Sequence, residues 1–156
     1  MNKDNILIDL RIDREKKYNE FREQIDIGWF KVLKSLKYRP LLLSAYSFDN
    51  EKKLEEYVDI NRIKIIILSG GGNIYSKKST EEYRLVLSRM LIKVALKKKI
   101  PLIGICRGAQ ALLKFYKIRT SKNKYRIKQK LRLILKRNIK ILPKKILVTC
   151  YHNNSV

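Results

Sequence analysis

Cys106 stands in the run Gly104-Ile105-Cys106-Arg107-Gly108-Ala109-Gln110, a thiol with a glycine two residues away on either side. That is the spacing of a nucleophile elbow, in which the reacting residue occupies a sharp turn between a strand and a helix. The backbone is crowded there, and flanking glycines remove the Cβ atoms that would clash. The chemistry of such a turn is acyl transfer. The partial positive charge of the helix N-terminus favours thiolate, and the amide of the next residue, Arg107, faces a developing oxyanion. A Gly-x-Cys-x-Gly pentapeptide alone is a weak signal, and its bland alternative is a buried cysteine that only packs. The apolar Ile100–Ile103 before it and the helical pattern after it favour the elbow.

A second glycine cluster, Ser69-Gly70-Gly71-Gly72-Asn73, follows the most β-like run of the chain, Arg62–Leu68. On its own it reads as a flexible turn. Two glycine-bearing turns that each follow a strand are, however, how loops converge at the carboxyl edge of a parallel sheet. A thiol nucleophile also needs a base, and the chain holds one histidine, His152, directly after the apolar run Lys144–Tyr151. A lone histidine is ordinarily a surface or satisfied core residue. Beside a cysteine elbow it becomes the expected base, because Cys/His catalysis joins residues distant in sequence.

These residues need a frame. Asn5–Leu10 predicts a first buried strand, and Phe21, Ile25, Trp29 (or Ile27), Val32, Leu33 and Leu36 recur at helical steps, predicting an amphipathic helix over Tyr18–Leu36. Pro40 ends it, Leu41–Ala45 predicts a strand, and Asp49–Val58 a short charged helix. Thr80 is placed to cap a helix whose buried face is Tyr83, Leu87, Met90, Leu91, Val94 and Ala95, and Lys97-Lys98-Lys99 reads as its solvated end. Beyond Lys117 the pattern weakens: Thr120–Lys130 is a loop or frayed helix, Leu131–Leu135 and Ile139–Leu142 look like paired strands, and Lys144–Tyr151 like a further one. Alternating strands and helices predict an α/β domain with a mostly parallel sheet.

At 156 residues and 45% hydrophobic composition, the expectation is one compact domain over 1–156. No signal-peptide pattern or membrane-length apolar run is present, and two cysteines fit a reducing compartment, so a cytoplasmic protein is expected. One histidine and two cysteines make no zinc pattern, and neither metal nor cofactor is expected. The formal charge is +23; all 14 acidic residues lie at or before Glu82, whereas 21 of the 37 Lys and Arg lie after it. Such a field attracts anions, though compositional drift explains it equally well. No nucleic-acid motif accompanies the charge, so nucleic acid is not the expected partner.

Ile67-Leu68-Ser69-Gly70-Gly71, the Cys106 elbow and Tyr151-His152-Asn153 occur in the order seen in class I glutamine amidotransferase-like proteins, which the chain resembles. Within them it looks most like the γ-glutamyl-γ-aminobutyrate hydrolase group. Tyr18–Arg22 through Trp29, with Pro40–Leu43 after it, is similar to a short branch that includes γ-glutamyl-CDP-amidate hydrolase of surface-polysaccharide synthesis. The resemblance implies a flavodoxin-like three-layer sandwich and a Cys/His/Glu triad that cleaves a γ-glutamyl amide. It assigns Cys106 as nucleophile, His152 as base, the amides of Gly71 and Arg107 as oxyanion hole, and Gly70 and Gln110 to the glutamyl group. Arg22 is a guess for the far side of the substrate, against a solvated surface residue. A small γ-glutamyl substrate is implied, with a synthetase or synthase as protein partner.

The sequence departs from that pattern in two places. The triad glutamate of the family follows the histidine, whereas Asn153–Val156 here contains no carboxylate, and the span from Cys106 to His152 is short. Without the acid, His152 lacks the partner that sets its tautomer; Asn153 is the available substitute. The expectation is therefore a domain shortened at its C-terminal end, with two readings: a cysteine hydrolase of γ-glutamyl amides, or an impaired amidotransferase-like domain kept as a binding module, its basic half taking anions or nucleic acid.

Overall fold

The protein is represented by a computed structural model, which describes residues 4–74, 79–119, 121–122, 130–134, 145–149 and 154–155. It forms two compact units, 1–117 and 118–156.

The first unit is built on four parallel strands: β1 (Asn5–Asp9), β4 (Arg39–Leu43), β5 (Ile63–Leu68) and β6 (Leu102–Gly104), in the order β4-β1-β5-β6. Side chains alternate across such a sheet. Leu7, Ile66 and Leu68 therefore meet one helical layer, consisting of α2 (Glu51–Ile60), α3 (Ser79–Lys98) and α4 (Arg107–Phe115). Ile6, Ile8 and Ile67 point the other way, onto Leu33 of α1 (Gly28–Ser35) with Trp29 and Tyr38 beside it. This is the expected three-layer α/β sandwich of flavodoxin-like type. Pro40 sits within β4 without harm because β4 is an edge strand, where a missing N–H leaves no neighbour unsatisfied.

One long element differs from its prediction. Tyr18–Leu36 is not a single helix; its first part is β3 (Glu20–Gln24), antiparallel to β2 (Arg11–Glu15), and only α1 is helical. The helical spacing of Phe21 and Ile25 was coincidental, and Phe21 lies exposed. Contacts remote in sequence favour the hairpin: Glu23 Oε1 accepts the Ala45 N–H at 2.6 Å, and the Gln24 amide donates to Asp13. Asp26 Oδ1 then accepts the Gly28 N–H at 2.6 Å as the helix begins.

Two smaller differences concern α3. Thr80 lies inside its first turn rather than before it, and Tyr83 is exposed while Arg84 and Ser88 are buried. Lys97 and Lys98 are not merely solvated, since they pair with Glu55 at 2.8 Å and Asp59 at 2.7 Å on α2. The acidic residues of α2 thus join it to α3. Asn50 caps α2 through Oδ1, which accepts the Lys53 N–H at 3.0 Å.

In the second unit, β8 (Lys130–Ile134) pairs antiparallel with β9 (Lys145–Thr149), and β7 (Ser121–Lys122) with β10 (Asn154–Ser155). The partner of the Leu131 strand is therefore β9; Ile139–Leu142, expected in that place, lies outside the described residues.

Candidate active site

The parallel register places Leu68 of β5 opposite Gly104 of β6. Both strands end at the same level, so the Ser69–Asn73 loop and the turn at Cys106 leave the sheet side by side. Ile105 N donates to Leu68 O at 3.0 Å and ties the two exits together.

Cys106 has φ 51° and ψ −106°, a backbone conformation that costs an L-residue on the order of 1–3 kcal/mol and persists only where its surroundings impose it. The glycines impose it by close approach. A Cβ on Gly108 would lie 2.0 Å from Leu68 O, and one on Gly104 would lie 2.8 Å from Ala109 N. Helix α4 begins immediately: Gly108 N donates to Ile105 O at 2.9 Å and Gln110 N to Cys106 O at 3.1 Å. No backbone carbonyl among the described residues accepts the Arg107 N–H, one of the first-turn amides of α4. The Cys106 thiol is free and exposed.

Gly70 runs against the cysteine, with the position of its absent Cβ 3.4 Å from Cys106 Cβ. Gly71 and Gly72 both adopt the left-handed region, at φ 82° and 81°. Gly70→Ala is accordingly expected to change stability by less than about 1 kcal/mol, since the space is that of an ordinary contact. Its methyl group nevertheless crowds the thiol, and reaction at Cys106 should slow roughly ten- to a hundredfold. Thermal unfolding and thiol-labelling rates on the same sample separate the two effects.

Beneath both loops lies a buried ionic cluster. Arg84 Nε donates to Asp9 Oδ2 at 3.2 Å, and Asp9 also accepts the Ser69 N–H through Oδ1. The Arg107 side chain turns inward from the elbow, its Nε donating to Glu81 Oε2 at 3.2 Å and Nη1 to Ser88 Oγ at 3.1 Å. Glu81 Oε1 accepts the Asn73 N–H at 3.3 Å. Burial, then the neighbouring Arg84 charge, push the Arg107 pKa below its ordinary value, while Glu81 and Asp9 oppose that shift.

Of the residues expected at the site, Gly70 meets Cys106, Gly71 and Arg107 are their next neighbours along the chain, and Gln110 lies half-buried one turn into α4. Arg22 does not join them; it is exposed on β3, paired with Glu20 at 2.7 Å and stacked over Tyr18. His152 and Asn153 lie outside the described residues. A cavity of roughly 190 Å³ opens beside the glycine loop, lined by Ser69, Gly70, Gly71 and Ile105 on one side and Arg11, Gln24, Asp26 and Trp29 on the other. Among the described residues no cluster of His, Cys, Asp or Glu is grouped to hold a metal, and no helix is long and apolar enough to cross a membrane.

Sequence reasoning missed Asp9, Glu81 and Arg84. A signal for Arg84 was present: with Ser88 it continues the buried stripe of Leu87, Leu91 and Ala95 by the same three- and four-residue steps, so the stripe placed a charge in the core.

A parallel α/β sandwich with a strained cysteine between strand and helix, beside a glycine loop from the neighbouring strand, defines an elbow-type protein with a thiol at the turn. The chain belongs to the class I glutamine amidotransferase family, whose model matches residues 30–156. It is 30% identical over 101 residues to γ-glutamyl-CDP-amidate hydrolase of Campylobacter jejuni, covering 64% of this chain and 48% of that protein. It is also 36% identical over 86 residues to a subunit of the glutamine-hydrolysing GMP synthase of Methanococcus maripaludis, covering 55% and 39%. The chain thus spans about half or less of the curated relatives it matches. Two solved structures share the fold, each over 99% of this chain with a TM-score of 0.63. They are a putative GMP synthase subunit of Thermoplasma acidophilum (22% identity, 67% of that chain) and a glutamine amidotransferase of Thermotoga maritima (17%, 63%).

Proposed function

We propose that this chain hydrolyses a γ-glutamyl amide through a thioester on Cys106. The observation that carries the reading is the strained, exposed Cys106 at the head of α4, beside a glycine loop delivered by the adjacent strand. Cys106 Sγ attacks the γ-carbonyl carbon, and the amides of Gly71 and Arg107 take the negative charge that forms on its oxygen. Each such donor contributes about 3 kcal/mol in comparable sites. His152, nominated from sequence alone, accepts the thiol proton and returns it to the leaving nitrogen. Water then cleaves the thioester and releases glutamate.

Gly70 and Gln110 serve the glutamyl end, and the cavity walled by Arg11, Gln24, Asp26 and Trp29 takes the part of the substrate beyond it. The C. jejuni relative supports a nucleotide-linked leaving group, and the GMP synthase subunits support a synthase partner. A cytoplasmic site of action and a single domain over 1–156 belong to the same reading.

The test is a glutamine-mimicking diazo-ketone followed by mass spectrometry. One adduct at Cys106, blocked by excess γ-glutamyl amide, is expected; a thiol that stays unlabelled while reacting with iodoacetamide overturns the hydrolase and leaves a binding module.

A further inference from the structure

Arg84 spends its guanidinium on the glycine loop. Nη1 donates to Gly71 O at 2.6 Å, and Nη2 lies within hydrogen-bond distance of Ser69 O at 3.1 Å, Ser69 Oγ at 2.8 Å and Gly70 O at 3.1 Å. One fully buried cation therefore holds three successive carbonyls, and Asp9, equally buried, fixes the cation in place at 3.2 Å. In a trans peptide the carbonyl of one residue and the N–H of the next point in opposite directions within a rigid plane. Holding the carbonyls of Ser69, Gly70 and Gly71 on the Arg84 side therefore sets the direction of the amides of Gly70, Gly71 and Gly72. Glycines with φ near +80° at two of these positions have little intrinsic preference of their own, so the direction must be imposed from outside.

The same helix grips the other partner. Glu81, one turn before Arg84 on α3, accepts from Asn73 N at the end of the loop and from the Arg107 side chain next to Cys106. Its Oε1 lies 2.1 Å from where a Gly72 Cβ would stand, so it also packs against the loop. The first turns of α3 thus brace both the loop and the elbow.

We propose that Arg84 is a positioning residue for the oxyanion amide: it touches no substrate, and acts by turning the Gly71 N–H toward the Cys106 side. This rests on the hydrolase reading for its catalytic consequence, but its structural part is measurable without turnover. The experiment compares the wild type with Arg84→Lys, which keeps the charge beside Asp9 but cannot reach all three carbonyls, and with Ser69→Ala, which removes one bond and spares the cation.

Backbone 15N order parameters at Gly70, Gly71 and Gly72 are expected to fall in Arg84→Lys from about 0.85, the value of rigid backbone, toward about 0.6 or below, with β1 and β5 unchanged. On the same samples, diazo-ketone labelling and kcat for glutamate release should fall about a hundredfold with KM within threefold, while iodoacetamide, which forms no oxyanion, reacts at the wild-type rate. Ser69→Ala should fall between the two. Unchanged loop order parameters in Arg84→Lys overturn the proposal, and so does a loss of labelling matched by an equal loss of iodoacetamide reactivity. A wild-type thiol deaf to the diazo-ketone overturns the hydrolase and the catalytic use of the clamp together, whereas a labelled wild type with an indifferent loop overturns the clamp alone.

Discussion

Gly108→Ala is expected to destabilise the protein by about 3 kcal/mol or more, a midpoint drop of roughly 6–12 °C for a chain of this size. The added methyl carbon would stand 2.0 Å from Leu68 O and 2.6 Å from Leu68 C, and these are backbone atoms of a central strand rather than the tip of a movable side chain. Leu68 O already accepts the Ile105 N–H, so relief requires β5 and the elbow to separate, with loss of that bond and of the Leu68–Gly104 register. Gly70→Ala is the internal control, since it adds the same methyl group 3.4 Å from the nearest atom. Denaturant midpoints for the two variants, measured side by side, check the ranking; a Gly108→Ala protein as stable as wild type would mean that α4 docks less closely than described.

Asp9→Ala should cost about 3–5 kcal/mol, because it strips the counter-charge from a cation that has no route to water. Arg84 and Asp9 are both fully buried, and Asp9 also satisfies the Ser69 N–H, so the substitution orphans a charge and a backbone donor together. The surface pairs set the scale. Lys53–Asp49 and Arg22–Glu20 are both well exposed and screened by solvent, and removing either should be barely detectable. Urea denaturation of Asp9→Ala against Asp49→Ala measures the contrast directly. Equal, small losses would show that solvent reaches Arg84.

The positions of these two residues also explain a division of labour in the fold. The strands deliver the two loops to one edge of the sheet, and the helix between them, α3, supplies the charges that hold those loops in shape. A buried arginine serves here where an apolar side chain would not, because the loop's carbonyls face inward and need a donor.

Much of this was written locally in the chain. Strand-helix alternation, the glycines around Cys106 and the Ser69–Asn73 cluster depend on spacing over a few residues, and each of these features stands where its spacing put it. Tyr18–Gln24 went wrong for the converse reason: its apolar residues suit a helix, but β2, with the acceptors and donors of Asp13 and Ala45, draws it into a hairpin. What the sequence by itself determined is the α/β class, the sheet that ends in two glycine turns, and a thiol at the second of them. Only the tertiary structure decided which charges lie inside and what they hold. Asp9 and Arg84 are 75 residues apart, and a charge is tolerable in the core only once its partners, brought from distant segments, surround it. No window of sequence contains that condition.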